Sequence, residues 1–238
     1  MVYAAVFAGG KGSRMGNIDT PKQFLELASK PVIIHTVEKF FVHPGIDEII
    51  VLCPKPWVAI TKDLIKKYLP EGKPVTVIEG GETRNGTLEN AVEFIKTNRE
   101  TDDNTIIVTH DAVRPFLTHR IIEENINAAI KYGACDTVIP ATDTIVESED
   151  GSLISSIPNR KLMYQGQTPQ SFRLNELISV LSSLTDEEKN ILTDACKIFT
   201  IKNNPVFMVE GEVFNIKITY PYDMKVAATL LKGKDSDD

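Results

Sequence analysis

Cysteine is scarce in this chain. There are three in 238 residues, Cys53, Cys135 and Cys196. They lie far apart and form no C-x-x-C pair, which excludes a zinc module and a disulfide framework. An odd number of scattered thiols reads as buried and free, in a reducing compartment. No apolar run approaches the ~20 residues that cross a bilayer. No basic segment with a cleavage pattern precedes the first apolar stretch. The expectation is a cytoplasmic protein without membrane contact. Positive charge is also in deficit: 26 Lys and Arg against 33 Asp and Glu give a formal charge of −7. That argues against a general nucleic-acid surface, so any cations that bind phosphate must be concentrated locally. There is no internal repeat and no low-complexity segment. The composition, 42% hydrophobic and 25% charged, is that of an ordinary globular protein. The length suits one large α/β domain, or one domain carrying an arm.

Three familiar active-site signatures are missing as well. A Walker A loop needs Gly, four residues, then Gly-Lys-Ser/Thr, and no such run exists. A dinucleotide fingerprint needs G-x-G-x-x-G. Gly10 and Gly12 fit it, but the third position is Met15 and Gly16 comes one residue late. The second strand candidate runs into Pro54 without an acidic residue to hold a ribose. No G-x-S-x-G is present, so nothing points to a serine nucleophile. What does stand after the first apolar stretch is Gly9-Gly10-Lys11-Gly12-Ser13-Arg14-Met15, followed by Pro21-Lys22-Gln23. A glycine-rich turn at the end of a first strand presents backbone N–H groups to phosphate. With Arg14 and Lys22 beside it, the turn suits a nucleoside triphosphate better than a dinucleotide.

The chain reads as alternating strands and helices in its first half. Strands are expected at Val2–Ala8, Glu48–Cys53, Val75–Ile78 and Thr105–Thr109. Helices are expected at Pro31–Phe41, Pro56–Tyr68, Asn85–Lys96 and Thr118–Tyr132, the last ended by Gly133. This order predicts a Rossmann-like α/β fold, a mainly parallel sheet with helices on both faces. After Asp136 the pattern changes. Val138–Pro140, Thr144–Glu147 and Leu153–Ile157 are short extended runs, with a hairpin turn at Ser148–Gly151. They read as an antiparallel β-arm inserted at about 138–160. Arms of this kind exchange between subunits, so a homodimer is expected. Helices at Asn175–Leu184 and Thr193–Phe199, strands at Val206–Val209 and Phe214–Thr219, and a helix from Pro221 complete one domain.

Ligand sites of open α/β sheets lie at the carboxyl ends of the parallel strands. Four clusters fall there: Ala8-Gly9-Gly10; Gly80 to Asn85; His110 to Pro115; and Asn215-Ile216-Lys217. Arg14 and Lys22 carry the charge that would stabilise a pentacoordinate phosphorus; Lys11 is a further phosphate candidate. Asp111 could hold a divalent cation or a ribose, or simply cap a turn. Gly80-Gly81 with Thr87 could form a base pocket, or a plain turn in which Asn85 or Thr87 caps a helix. Arg160 and Lys217 could bind a second anionic substrate. His110, His35 and His43 read as structural.

The ordered set of motifs resembles the small cytidylyltransferases. It runs from Ala8-Gly9-Gly10-x-Gly12-x-Arg14-Met15 and Pro21-Lys22-Gln23 through Gly80-Gly81-x-x-Arg84. It continues with His110-Asp111-Ala112-x-Arg114-Pro115, Gln167-Thr168-Pro169-Gln170, Thr193-Asp194 and Asn215 to Thr219. The family includes branches acting on 2-C-methyl-D-erythritol 4-phosphate and on D-ribitol 5-phosphate. Thr109–Phe116, Tyr164–Phe172 and Asp194–Lys197 look like the ribitol branch. Near Phe214 the methylerythritol branch can carry an acidic residue that this chain lacks. The resemblance implies that Arg14 and Lys22 are catalytic. Phe7, Ala8, Gly9, Gly10, Gly81, Glu82, Thr83, Arg84, Asn85, Gly86 and Thr87 would line a CTP site. Asp111 and Ala112 would contact the nucleotide, with Asp111 on its Mg2+. Arg160 and Lys217 would position the polyol phosphate, with Arg160 able to act across a dimer interface. The implied reaction joins CTP and D-ribitol 5-phosphate into CDP-ribitol and pyrophosphate, for poly(ribitol phosphate) wall teichoic acid. The alternative is the methylerythritol reaction of isoprenoid synthesis. Functional pairing with a ribulose-5-phosphate reductase is implied on the ribitol reading.

Overall fold

Residues 1–10, 15, 20–190 and 194–234 are described by a computed structural model. Strand β1 is Val2–Phe7, and a small hairpin of β2 (Glu26–Leu27) and β3 (Lys30–Pro31) leads to helix α1 (Val32–Phe41). There follow β4 (Glu48–Cys53), α2 (Val58–Tyr68), β5 (Val75–Glu79), α3 (Arg84–Asn98), β6 (Ile106–Asp111), α4 (His119–Tyr132) and β7 (Ala134–Pro140). The chain ends with β8 (Tyr164–Arg173), α5 (Leu174–Ser182), α6 (Asp186–Asn190), α7 (Ala195–Ile201), β9 (Phe207–Glu210) and α8 (Pro221–Lys234).

Seven strands form one sheet in the order β5-β4-β1-β6-β8-β7-β9. Strand β8 runs antiparallel to both of its neighbours, β6 and β7. The remaining pairings are parallel. The central strands are almost wholly buried and mainly apolar because both faces are covered, with polar residues at the Glu48 start of β4 and the Thr109–Asp111 end of β6. In β1, Ala4 and Val6 pack into a core built with α1 and α4, while Tyr3, Ala5 and Phe7 pack into a second core with α3, α5 and α7. A third, smaller cluster joins Leu27, Val113, Phe116 and Ile218 to α8. The expected mainly parallel sheet with helices on both faces is therefore present. Thr118 caps α4 by accepting from the Ile121 N–H, and Gly133 ends it at φ 84°. All three cysteines are buried and free.

The second half differs from expectation in four places. Val138–Pro140 is not the start of an arm: it belongs to the main sheet, where it pairs with β8. The extended runs at 144–147 and 153–157 reduce to a single antiparallel bridge, Glu147 to Ser156. The turn between them holds as read, with Asp150 Oδ1 accepting from the Ser152 and Leu153 N–H groups at 2.8 and 2.9 Å. Val146, Leu153, Ile154, Ile157 and Leu162 are exposed there, so the runs are apolar without a core to bury them. Phe214–Thr219 is not a strand. It is irregular backbone with one ladder-like bond, Ile218 N–H to Val113 O at 2.9 Å, and is otherwise pinned by side chains. Conversely, the ten-residue strand β8 has no alternating apolar pattern and contains Pro169, so periodicity alone does not reveal it.

Candidate active site

Parallel β1, β4, β5 and β6 end at one edge of the sheet, and a cleft of about 500 Å³ opens there. Its lining includes Phe7, Ala8, Gly9, Gly10, Lys22, Gly81, Glu82, Thr83, Arg84, Thr87, Asp111 and Lys217. These twelve candidates, distant in sequence, thus meet in one place. Gln23, Val113 and Thr219 also line it and were not singled out by sequence. Four candidates stand apart from the lining. Asn85 and Gly86 sit one layer back, in the first turn of α3. Ala112 is wholly buried, with its N–H bonded to Phe7 O and its carbonyl accepting from Thr36 Oγ1. It supports the floor of the cleft and lends it no surface. Arg160 is on the exposed segment after the bridge, its Nη1 donating to Thr142 O at 2.8 Å. Lys11 and Arg14 lie outside the described residues.

The glycine turn is braced from below. Gln23 Nε2 donates to Ala8 O at 2.5 Å and to Gly10 O at 3.3 Å. That engages two carbonyls of the turn from the side of Gln23. Lys22 sits on the short turn Lys22–Phe24 that begins after Pro21, and only 7% of its surface is exposed. So placed, it meets little solvent and lines the cleft.

The opposite wall is a second tight turn. Thr83, rather than Asn85 or Thr87, caps α3, its hydroxyl accepting from the Gly86 N–H at 3.0 Å. Thr87 Oγ1 accepts from the Gly81 N–H at 3.1 Å and bonds Thr83 O at 2.8 Å. The turn folds so closely that a Cβ on Gly81 would lie 2.3 Å from the Gly86 carbonyl carbon. Only glycine fits.

Asp111 is the electrostatic centre. Arg84 Nη1 bonds Oδ1, Lys217 Nζ lies 2.9 Å from Oδ2, and Arg114 Nε lies 3.5 Å from Oδ2. Burial alone would raise its pKa, but the Arg84, Lys217 and Arg114 charges outweigh that and hold it well below the ordinary carboxylate range. The Arg84 guanidinium also lies 5.3 Å from the centre of the Phe7 ring. Lys217 reaches Asp111 because its segment is tied to β8. Asn215 Nδ2 donates to Gln167 Oε1 at 3.1 Å and to Thr168 O at 2.9 Å, and Arg114 Nη1 donates to Asn215 O at 2.8 Å.

His110 is fully buried beneath this cluster. Its Nε2 faces Arg114 O at 3.1 Å, and a carbonyl can only accept, so Nε2 carries the proton. Nδ1 then accepts from Thr168 Oγ1 at 2.9 Å, and the Thr168 oxygen accepts from the Asp111 N–H at 3.2 Å. Burial lowers the imidazole pKa from 6.5 to about 4. The ring is neutral and structural, as read from sequence.

A metal ion requires oxygen donors, and Mg2+ takes one or two carboxylates together with substrate phosphates. Asp111 already answers three cations, and among the described residues no group of three His, Cys, Asp or Glu could hold an ion. The donor set does not fit a resident metal centre.

A family model described as IspD: 2-C-methyl-D-erythritol 4-phosphate cytidylyltransferase matches residues 2–233. The structure resembles 4-diphosphocytidyl-2C-methyl-D-erythritolsynthase from Anaerococcus prevotii DSM 20548, with a TM-score of 0.79 and 28% identity over 97% of this chain and 96% of that one. It resembles the 2-C-methyl-D-erythritol 4-phosphate cytidylyltransferase of Francisella tularensis with a TM-score of 0.78 and 25% identity, over 95% and 97% of the two chains. The corresponding enzyme of Thermus thermophilus shares the fold, with a TM-score of 0.73 and 24% identity over 98% and 100%. Among the described residues no helix is long and apolar enough to cross a membrane.

Proposed function

The chain belongs to the 2-C-methyl-D-erythritol 4-phosphate cytidylyltransferase family, a family of CTP-using nucleotidyltransferases, and from that premise we propose that it joins CTP to the phosphate of a short polyol, D-ribitol 5-phosphate in the first instance. The observation that carries the chemistry is the cleft itself, where Lys22 and the glycine turn face the Asp111–Arg84–Lys217 cluster. A phosphate oxygen of the polyol phosphate attacks the α-phosphorus of CTP in line. The bond from that phosphorus to the β-phosphate oxygen breaks, and CDP-polyol and pyrophosphate result. The attacking group is already an anion, so no general base is needed. Alignment and charge neutralisation carry the catalysis. Lys22, with Arg14, neutralises the triphosphate, and Lys217 receives the acceptor phosphate. Mg2+ enters on the triphosphate, as part of the substrate. Thr83 and the Gly81 turn form the base side of the cleft.

The ribitol reading is supported by the sequence at Tyr164–Phe172 and Asp194–Lys197. On that reading the enzyme is cytoplasmic, supplies CDP-ribitol to wall teichoic acid, and draws its acceptor from a ribulose-5-phosphate reductase. A second reading, 2-C-methyl-D-erythritol 4-phosphate as acceptor, has the more direct support from the comparisons, because the family model and the solved relatives carry that name. A homodimer joined through the exposed apolar segment 141–159 fits either reading, with Arg160 at its end. The test is pyrophosphate release from CTP and Mg2+ with each acceptor. Release with D-ribitol 5-phosphate alone supports the first reading, release with the methylerythritol compound alone replaces it with the second, and silence with both in protein that binds CTP overturns the acceptor class.

A further inference from the structure

Beyond the cleft the same face of the sheet continues across β8 to β7. Asp111 is in register with Phe7, Thr109 with Gln170, and Gln170 with Asp136. Registered neighbours and alternate residues along a strand share one face, so Asp111, Gln170 and Asp136 point to the same side. Asp136 lies two strand spacings from β6, about 10 Å. It is only partly buried, and its Oδ1 accepts from Gln170 Nε2 at 3.1 Å. Residue 166 is an exposed glycine, and even a Cβ placed there would stay 3.7 Å from Asp136 Oδ2. A space the size of a methyl group therefore adjoins the second carboxylate oxygen beside Gly166. Neither the resemblance nor the motif reading singles out Asp136.

Resting on the polyol-phosphate reading above, we propose that Asp136, oriented by Gln170, is a specificity-determining residue that accepts hydrogen bonds from hydroxyl groups of the acceptor's carbon chain. The charge layout gives the acceptor a direction. Lys217 and Arg84 stand at the Asp111 end and attract its phosphate. Asp136 stands at the other end, where burial first and the Asp194 carboxylate after it raise its pKa to about 7, so that it carries its charge above that pH. That end repels phosphate and suits neutral hydroxyl donors. Arg84, bonded to Asp111, joins the two ends. Asp136 touches no group that reacts, so it binds and selects without taking part in the bond changes.

The test compares wild type with Asp136→Asn, which keeps the oxygen that Gln170 meets and removes the charge. Acceptors are the better of D-ribitol 5-phosphate and 2-C-methyl-D-erythritol 4-phosphate, and analogues of it lacking one hydroxyl each. Losing a hydrogen bond to a charged group should raise the acceptor KM about 10-fold or more, with the CTP KM within twofold. One deoxy analogue should be penalised in wild type and no further penalised in Asp136→Asn. Gly166→Ala, which leaves the carboxylate intact and narrows its approach, should raise the acceptor KM in the same direction. An unchanged acceptor KM in Asp136→Asn overturns the proposal, as does an equal rise in both KM values, or equal deoxy penalties in both proteins. If Asp136→Asn does not fold, the wild-type deoxy series with Gly166→Ala decides, and flat KM values there overturn it. Wild-type turnover with neither acceptor overturns the function reading itself, and with it the role of Asp136.

Discussion

The two halves of the cleft are built from different materials. The half proposed for the nucleotide is largely backbone: the Gly9-Gly10 turn braced by Gln23, and the Gly81–Thr87 turn closed around the α3 N-terminus. The half proposed for the acceptor is side chain: Asp111 with its three cations, the buried Asn215–Gln167–Thr168 ties, and Asp136 beyond. A backbone site demands glycine at fixed points and tolerates little at those points. A side-chain site demands particular functional groups and depends on the network that aims them. Substitutions in the two halves should therefore fail differently.

The largest effect is expected where the halves meet the reacting phosphorus. Lys22→Ala should lower turnover at least ~100-fold, the scale of losing one strong electrostatic stabiliser. Pyrophosphate release with both substrates saturating measures it, and near-normal turnover in folded protein removes Lys22 from the chemistry. Next comes the backbone half. Gly81→Ala would drive a methyl group to 2.6 Å from the Thr87 nitrogen, a main-chain atom that cannot swing aside. Overpacking of this kind costs ~1–3 kcal/mol, and the CTP dissociation constant by calorimetry should rise about 10-fold or more. Gly10→Ala is the sharper probe. A Cβ there meets nothing within 4 Å among the described residues, so any loss of CTP affinity at unchanged stability reports that the ligand fills that space.

The side-chain half should break more gently and on the acceptor side. Asn215 is wholly buried and donates twice. Asn215→Ala leaves Gln167 Oε1 and the Thr168 carbonyl short of a donor, at ~1–3 kcal/mol of stability. Urea unfolding should show that drop. Lys217 loses its tether to β8, so the acceptor KM should rise more than the CTP KM. Equal changes in the two would mean that this network serves the whole fold and not one half of the site.

The same division explains what was legible in the sequence. Gly9, Gly10 and Gly81 declare themselves because backbone sites select a residue type, and β1, β4 and β6 because both-face burial gives each a short, mainly apolar run. Strand β8 hides because four of its buried positions, Gln167, Thr168, Gln170 and Ser171, are polar, and their side chains bond partners up to 58 positions away. Phe214–Thr219 reads as a strand because Phe214, Ile216 and Ile218 alternate, yet side-chain bonds hold it in irregular form. The arm segment shows a single bridge for the opposite reason. Its apolar residues suit strands, but a single chain offers them no surface on which to pair. Asp136 carries no motif, and only register across three strands connects it to Asp111.

His110 separates support from chemistry, and its effect at neutral pH should be the smallest. It lies under the acceptor half, neutral, with Nε2 donating and Nδ1 accepting. Burial, the leading cause, depresses its folded pKa from 6.5 to about 4. The sign follows from linkage. Below 6.5 the unfolded chain takes up a proton that the folded chain refuses, so the stability His110 lends is complete above 6.5 and is lost as pH falls from there toward 4. Asp111, whose pKa is also depressed, loses its share only below the ordinary carboxylate value of 3.8, so the two windows do not overlap. His35 and His43 are likewise lowered, chiefly by burial, and contribute to the same window. The ring carbon shift of His110 in an NMR titration isolates it. A ring that stays neutral from about pH 8 to about pH 5 while turnover near neutral pH is unaffected keeps His110 as scaffold. A midpoint near 6.5, the value of an unburied imidazole, would mean that solvent reaches the floor of the acceptor half, and that the polar network there is looser than its hydrogen bonds indicate.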